Sequence, residues 1–81
     1  MNQLKRLDQL PLEQSAEIVA IETDEDIKRR LMDLGMIYGT LVKSVLVSPA
    51  GDPVAYEVRG ATVALRKQIS SLIVVKEVES T

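Results

Sequence analysis

The hydrophobic core of this 81-residue chain has to be built almost entirely from aliphatic side chains. The sequence contains no Phe, Trp or Cys, and its aromatic residues are Tyr38 and Tyr56. A chain of this length buries little more than about 60% of its extended surface, and each Å² of buried apolar area contributes about 25 cal/mol. We therefore expect one small domain over residues 1–81, with a narrow margin of stability.

The missing residue types also exclude several classes of site. Without Cys there is no disulfide framework, thiolate metal site or Cys nucleophile. Without His, the commonest general base and the commonest transition-metal ligand are absent as well. A net charge of −2 argues against binding to nucleic acid, whose affinity depends on neutralising phosphates. We predict a protein that is not an enzyme and has no cofactor and no metal site.

Membrane and export signals are not apparent in the sequence. No apolar run approaches the roughly 20 residues that cross a bilayer. The basic pair Lys5-Arg6 is not followed by the apolar stretch of a signal peptide. We expect a cytoplasmic protein without direct membrane insertion.

The first part of the chain predicts a helical turn and then a strand. Leu4, Leu7 and Leu10 recur every three residues before Pro11, which favours a short helical turn that ends there. Residues 16–22 are rich in β-branched side chains and predict a strand. Both faces of this strand are largely apolar, so its alternation is imperfect.

The clearest helical pattern covers residues 24–34. Ile27, Leu31 and Leu34 form one apolar stripe, and acidic residues occupy the first turn, where the helix dipole favours negative charge. We predict that Thr23 caps the start of this helix and that Gly35 ends it, with a hydrophobic contact from Met36.

The rest of the chain alternates short apolar runs with turn residues. Strands are predicted at residues 41–48, 54–59, 61–65 and 73–78, with a helical turn at residues 66–72. About five short strands joined by tight turns favour a mainly β fold, a small antiparallel barrel with one inserted helix. The predicted turn residues after the helix are Gly39, Gly51, Asp52, Pro53 and Gly60.

Four motifs keep a distinctive order: Arg29-Arg30-Leu31-Met32-Asp33-Leu34-Gly35-Met36, Gly39-Thr40, Pro49-Ala50-Gly51-Asp52-Pro53-Val54 and Ala64-Leu65-Arg66-Lys67. Together they resemble the FeoA family of small cytoplasmic accessory proteins of bacterial ferrous iron uptake. Three positions depart from the family pattern. Tyr38 stands where the family usually has Pro, Ala50 replaces a Leu, and Glu13 lies near a position where the family often has Gly.

This resemblance implies an SH3-like β-barrel with an inserted helix. It also implies a non-enzymatic, regulatory role in ferrous iron transport through protein–protein interaction. The implied partner is the cytosolic GTP-binding domain of a FeoB-type transporter. An alternative is an SH3-like interaction module related to the C-terminal domain of iron-dependent transcriptional repressors. Homo-oligomers remain open.

The predicted partner-binding surface centres on Met36, Ile37 and Tyr38, because Met and Tyr are enriched in interface cores. The alternative is that Met36 and Ile37 simply close the barrel. Arg29 and Arg30 could add a basic contact to this surface, or they could form a solvated helix face. The acidic run at residues 22–26 lacks the EF-hand pattern, which disfavours a role in metal binding.

Overall fold

A computed structural model describes residues 3–78 of the chain. Six antiparallel strands form one sheet in the order β1-β6-β2-β3-β4-β5. The strands are β1 (Leu4–Arg6), β2 (Ser15–Ile21), β3 (Leu41–Val47), β4 (Val54–Val58), β5 (Ala61–Leu65) and β6 (Ile73–Glu77). Two helices, α1 (Glu25–Asp33) and α2 (Lys67–Ser70), and a 3₁₀ helix at Leu7–Gln9 complete it. The predicted mainly β class is confirmed, with six strands rather than about five.

The additional strand lies at the start of the described chain. The predicted helical turn is wrong for Leu4, which is 64% exposed and lies in β1, paired with β6. Only Leu7 and Leu10 are buried there, and the helical geometry is confined to Leu7–Gln9. Backbone pairing to the outer edge of β6 outweighs the local three-residue pattern, because an unpaired strand edge readily accepts another strand.

Strand β2 holds the two halves of the sheet together and changes partner along its length. It pairs with β6 from Ala16 to Ile21, with a register shift between Ile18 and Ala20. It pairs with β3 only over Ser15, Ala16 and Glu17. Beyond that point, β2 bonds to the turn that precedes β3 instead of to β3 itself: Gly39 N donates to Ile18 O at 2.8 Å. Within residues 3–78, no strand therefore pairs with that side of β2 after Glu17.

Helix α1 begins and ends through hydrogen bonds of its own sequence. The side chain of Asp24 accepts from Ile27 N at 3.0 Å, so Asp24, and not Thr23, is the N-cap. At the other end, Gly35 has a φ of 96°. Gly35 N donates to Met32 O at 2.9 Å, and Met36 N donates to Leu31 O at 3.0 Å. This pair of bonds is the Schellman arrangement, which satisfies the last carbonyls of the helix.

The core is aliphatic except for one aromatic ring. Tyr56 is 1% exposed, and its hydroxyl donates to Leu7 O at 3.3 Å, which ties the 3₁₀ helix to the centre of the sheet. Hydrophobic residues from all parts of the fold are buried around it: Leu7, Leu10, Ala16, Ile18, Leu31, Met36, Val42, Val58, Leu65, Ile73 and Val75.

Candidate docking site

An apolar groove of about 340 Å³ lies between β2 and α1, where β2 has lost its β3 partner. We call it the α1–β2 groove. One wall consists of residues 18–21 of β2. The helix and the segment that follows it contribute the other lining side chains, which are Lys28, Met32, Met36, Ile37 and Tyr38.

The three residues predicted as the centre of a partner-binding surface have different environments. Met36 is fully buried, with 0% exposure, and forms part of the core. Its assignment to an exposed docking surface is corrected, because a side chain without accessible area cannot contact a partner in this conformation. Ile37 is 41% exposed and Tyr38 is 77% exposed. Of the predicted surface, only Ile37 and Tyr38 are therefore accessible, with Met32 beside them at 45% exposure.

The exposed pair is held in place by backbone hydrogen bonds. Ile37 N donates to Gly35 O at 2.9 Å, and Thr40 N donates to Ile37 O at 2.9 Å. The bond from Gly39 N to Ile18 O attaches the same turn to β2. The end of α1 directs Met36 inward, and the next two side chains are exposed on a short turn held by these three bonds. An apolar surface that is already ordered loses little entropy when a partner binds.

The basic residues of α1 are divided between its two sides. Arg29 and Arg30 are both exposed, but Arg30 lines a different groove with Ile27 and Leu31. Lys28 is the cation that lines the α1–β2 groove. Among residues 3–78, no ion pair involves any of these three side chains. The structure thus brings Lys28, rather than Arg30, next to the exposed Ile37 and Tyr38.

A second, smaller cavity of about 180 Å³ has a mixed polar and apolar lining and lies beside α2. Asp52 accepts from Lys67 N at 2.8 Å and so caps α2 from the β3–β4 connection. Tyr56, Ser44 and Asp8 also line the cavity. Burial, together with the negative charges of Asp8 and Asp52, raises the pKa of Tyr56 above its ordinary value. In the described part of the chain, no cluster of three or more Asp, Glu, His or Cys side chains could hold a metal ion.

The other predicted turn residues lie in connections between strands. Gly39 precedes β3, Gly51 and Pro53 lie between β3 and β4, and Gly60 lies between β4 and β5. Each of the three glycines has a positive φ.

Sequence reasoning missed the β2 wall of the groove and Met32. The available signal was the imperfect alternation of the first long strand, in which both faces are apolar. One apolar face enters the core. The other is explained in part by the groove, which the partly buried Val19 and Ala20 line, whereas Ile21 packs against the core.

A family model for the FeoA domain matches residues 5–77. The chain belongs to the FeoA family. One relative of this FeoA-family chain is an Fe(2+) transport protein A/Fe(2+) transporter FeoB fusion protein from Porphyromonas gingivalis. The two are 29% identical over 75 residues, which are 93% of this chain and 9% of the fusion protein. The chain thus spans only a small part of that relative.

Solved structures agree on the fold. FeoA from Stenotrophomonas maltophilia, crystallised with zinc and described as an SH3 domain protein, is 32% identical. The alignment has a TM-score of 0.76 and covers 86% of this chain and 87% of that one. T. acidophilum IdeR is 27% identical, with a TM-score of 0.80 over 91% of this chain and 34% of its own. The SH3-like fold predicted from the motifs is therefore confirmed.

None of the helices within residues 3–78 is long and apolar enough to cross a membrane.

Proposed function

We propose that this chain is a non-enzymatic accessory module of ferrous iron transport that docks, in the cytosol, on the GTP-binding domain of a FeoB-type transporter. The fusion of the two proteins into one chain in P. gingivalis supports this proposal, because fusion keeps two functional partners together at equal stoichiometry. Such a module acts through different affinities for different conformations of the transporter domain.

The observation that carries the docking proposal is the α1–β2 groove. It offers an ordered apolar surface in which Tyr38 is 77% and Ile37 is 41% exposed, beside the single lining cation Lys28. Tyr and Met are enriched in the cores of interfaces, and Tyr is frequent among the residues that carry most of the binding energy. The cation favours a partner surface that places an acidic residue at the rim of an apolar contact.

The decisive experiment measures binding of this chain to the isolated cytosolic domain of the transporter from the same organism. Isothermal titration with and without a non-hydrolysable GTP analogue gives the affinity for each nucleotide state. We expect Ile37→Asp and Tyr38→Asp to weaken binding at least about tenfold, because a carboxylate would be buried against apolar surface.

Leu46→Asp is the matched control, because Leu46 is 64% exposed on β3 and does not line the groove. It adds the same charge to an exposed aliphatic position, and we expect the affinity to change by less than about twofold. Circular dichroism confirms that each variant is folded. No binding in either nucleotide state would refute the function, whereas equal losses in all three variants would refute only the docking site.

The second candidate is an interaction module like the C-terminal domain of iron-dependent repressors, supported by the structural similarity to T. acidophilum IdeR. The same titration, repeated with an iron-dependent regulator in place of the transporter domain, tests it. Binding to the regulator and not to the transporter domain would favour this second candidate.

A further inference from the structure

Strand β5 forms one end of the sheet that residues 3–78 build, and no described strand pairs with its outer edge. Within these residues its one neighbour in the strand order is β4, in register from Val54–Leu65 to Val58–Ala61. The strand reads Ala-Thr-Val-Ala-Leu, and Ala61, Thr62 and Ala64 are exposed. This edge lies outside the α1–β2 groove, since none of its residues lines that groove.

The turn before β5 determines which backbone groups face outward. Arg59 and Gly60 connect β4 to β5 with φ values of 51° and 84°, the positive pair that defines a type I′ hairpin turn. In this hairpin the flanking residues, Val58 and Ala61, exchange their backbone hydrogen bonds. Because alternate residues of an antiparallel strand bond to opposite sides, Thr62 and Ala64 direct their N–H and C=O groups to the open edge.

The β5 edge lacks the features that usually protect a strand edge. Protected edges are short, or carry charges, Pro or a bulge. The opposite edge of the sheet follows this pattern, because β1 has three residues and two of them are Lys5 and Arg6. By contrast, β5 has five residues without charge or Pro, and β4 pairs with it without a register shift.

Cations flank this uncharged strand at both ends. Arg59 precedes it and Arg66 and Lys67 follow it. Within residues 3–78, none of the three forms an ion pair. Antiparallel pairing of two copies about Val63 would place Arg59 opposite Lys67 of the second copy. Self-pairing would thus bring like charges together, whereas a strand with acidic ends would complement both flanks.

We infer that the β5 edge binds an extended segment of another protein by strand addition. The segment has small or β-branched side chains at its centre and Asp or Glu at both ends. Its backbone bonds to Thr62 and Ala64, and its terminal carboxylates face Arg59 at one end and Arg66 and Lys67 at the other. This interaction does not depend on the proposed transporter function, since it uses a different surface.

The test uses an acetylated, amidated peptide, Glu-Asp-Val-Thr-Val-Thr-Val-Asp-Glu, titrated into the ¹⁵N-labelled chain. We expect the largest amide shift changes in β5, and slower hydrogen exchange at the amides of Thr62 and Ala64. Ala64→Pro removes one outward donor without removing a bond to β4, and we expect it to weaken binding about five- to tenfold. The matched control Ala64→Ser keeps the donor and is expected to bind like the parent chain.

A separate experiment tests whether binding requires the cations that flank β5. The double variant with Arg66→Gln and Lys67→Gln is expected to weaken binding, as is raising the salt concentration. Dispersed spectra for each variant show that it remains folded. The inference is overturned if the shifts lie in the α1–β2 groove, if Ala64→Pro binds as well as Ala64→Ser, or if a peptide with Lys in place of its acids binds equally. Dimerisation of the chain through β5, detected by sedimentation, would also overturn it.

Discussion

At the scale of single residues, Glu13 is the clearest case of backbone strain. Its φ is 74°, a left-handed conformation that costs a residue with a side chain about 1 kcal/mol or more. In this conformation Glu13 N donates a hydrogen bond to Ser44 O at 2.7 Å, just before β2 begins. Glu13 also lies near the position where the family pattern often has Gly, a residue that adopts this conformation without strain.

Glu13→Gly is therefore expected to stabilise the fold. Relief of the strained φ outweighs the entropy that Gly adds to the unfolded chain, and we expect a gain of about 0.5–1 kcal/mol. Urea unfolding at neutral pH measures it. Glu13→Ala removes the same carboxylate, which lies 3.7 Å from the Lys43 ammonium, but keeps the strain. A gain as large in Glu13→Ala would attribute the effect to the carboxylate instead.

Tyr56 links stability to alkaline pH. Its pKa is raised, so the folded state holds the phenolic proton more tightly than the unfolded chain does. The stabilisation is fully present below the unfolded pKa of about 10 and is lost as pH rises toward the folded value. Tyr56→Phe loses the hydrogen bond to Leu7 O and should be about 1 kcal/mol less stable at pH 7. Urea titrations from pH 7 to 11 should show this difference shrinking above pH 10, and a constant difference would contradict the assignment.

At the scale of elements, the end of α1 depends on two properties of Gly35: its left-handed backbone conformation and its lack of a side chain. A Cβ at this position would lie 3.3 Å from Val58 Cγ1, and φ is 96°. Gly35→Ala is expected to lower the free energy of unfolding by about 1–2 kcal/mol. Gly51→Ala is the matched control, because Gly51 has a φ of 90° but nothing within 4 Å of an added Cβ. If both variants lose the same stability by urea unfolding, the contact with Val58 contributes nothing.

Elements with strong local signals could be predicted from the sequence, and those formed by tertiary pairing could not. Helix α1 was predictable because its stripe, first-turn acids and terminal Gly all agree. The predicted cap, Thr23, lies one residue before the observed cap, Asp24, because both are good capping residues and only the fold selects between them. Strand β1 was not predictable, because three residues carry little periodicity and its conformation depends on the edge of β6.

At the scale of the whole molecule, the small core leaves little stability to lose. Met36 is completely buried, and Met36→Ala is expected to cost about 2–5 kcal/mol, against a total of about 5–15 kcal/mol for a typical domain. Met36→Asp should therefore unfold the chain rather than weaken docking selectively. Met32→Ala is the matched control, since Met32 is 45% exposed, and it should cost less than about 1 kcal/mol. Thermal unfolding followed by circular dichroism compares them, and similar midpoints would contradict the central position of Met36.

In the candidate site, too, features with a local sequence signal could be predicted and features formed by tertiary pairing could not. The sequence placed Ile37 and Tyr38 on a docking surface, and the structure leaves both exposed. It could not separate Met36 from them, because the direction of each side chain after a helix depends on how the last turn is bonded. The β2 wall was beyond prediction, since it exists only where β3 turns away from Ile18.

The pairing of β1 with β6 has a practical consequence for engineering. Gln3 O accepts from Glu77 N at 3.4 Å, so the first and last described residues leave the sheet side by side. A short linker could join them, and new ends could be opened at the exposed loop around Gly51, giving a circular permutant with the same sheet. The same closeness would let the domain be spliced into a surface loop of a host protein without pulling that loop apart.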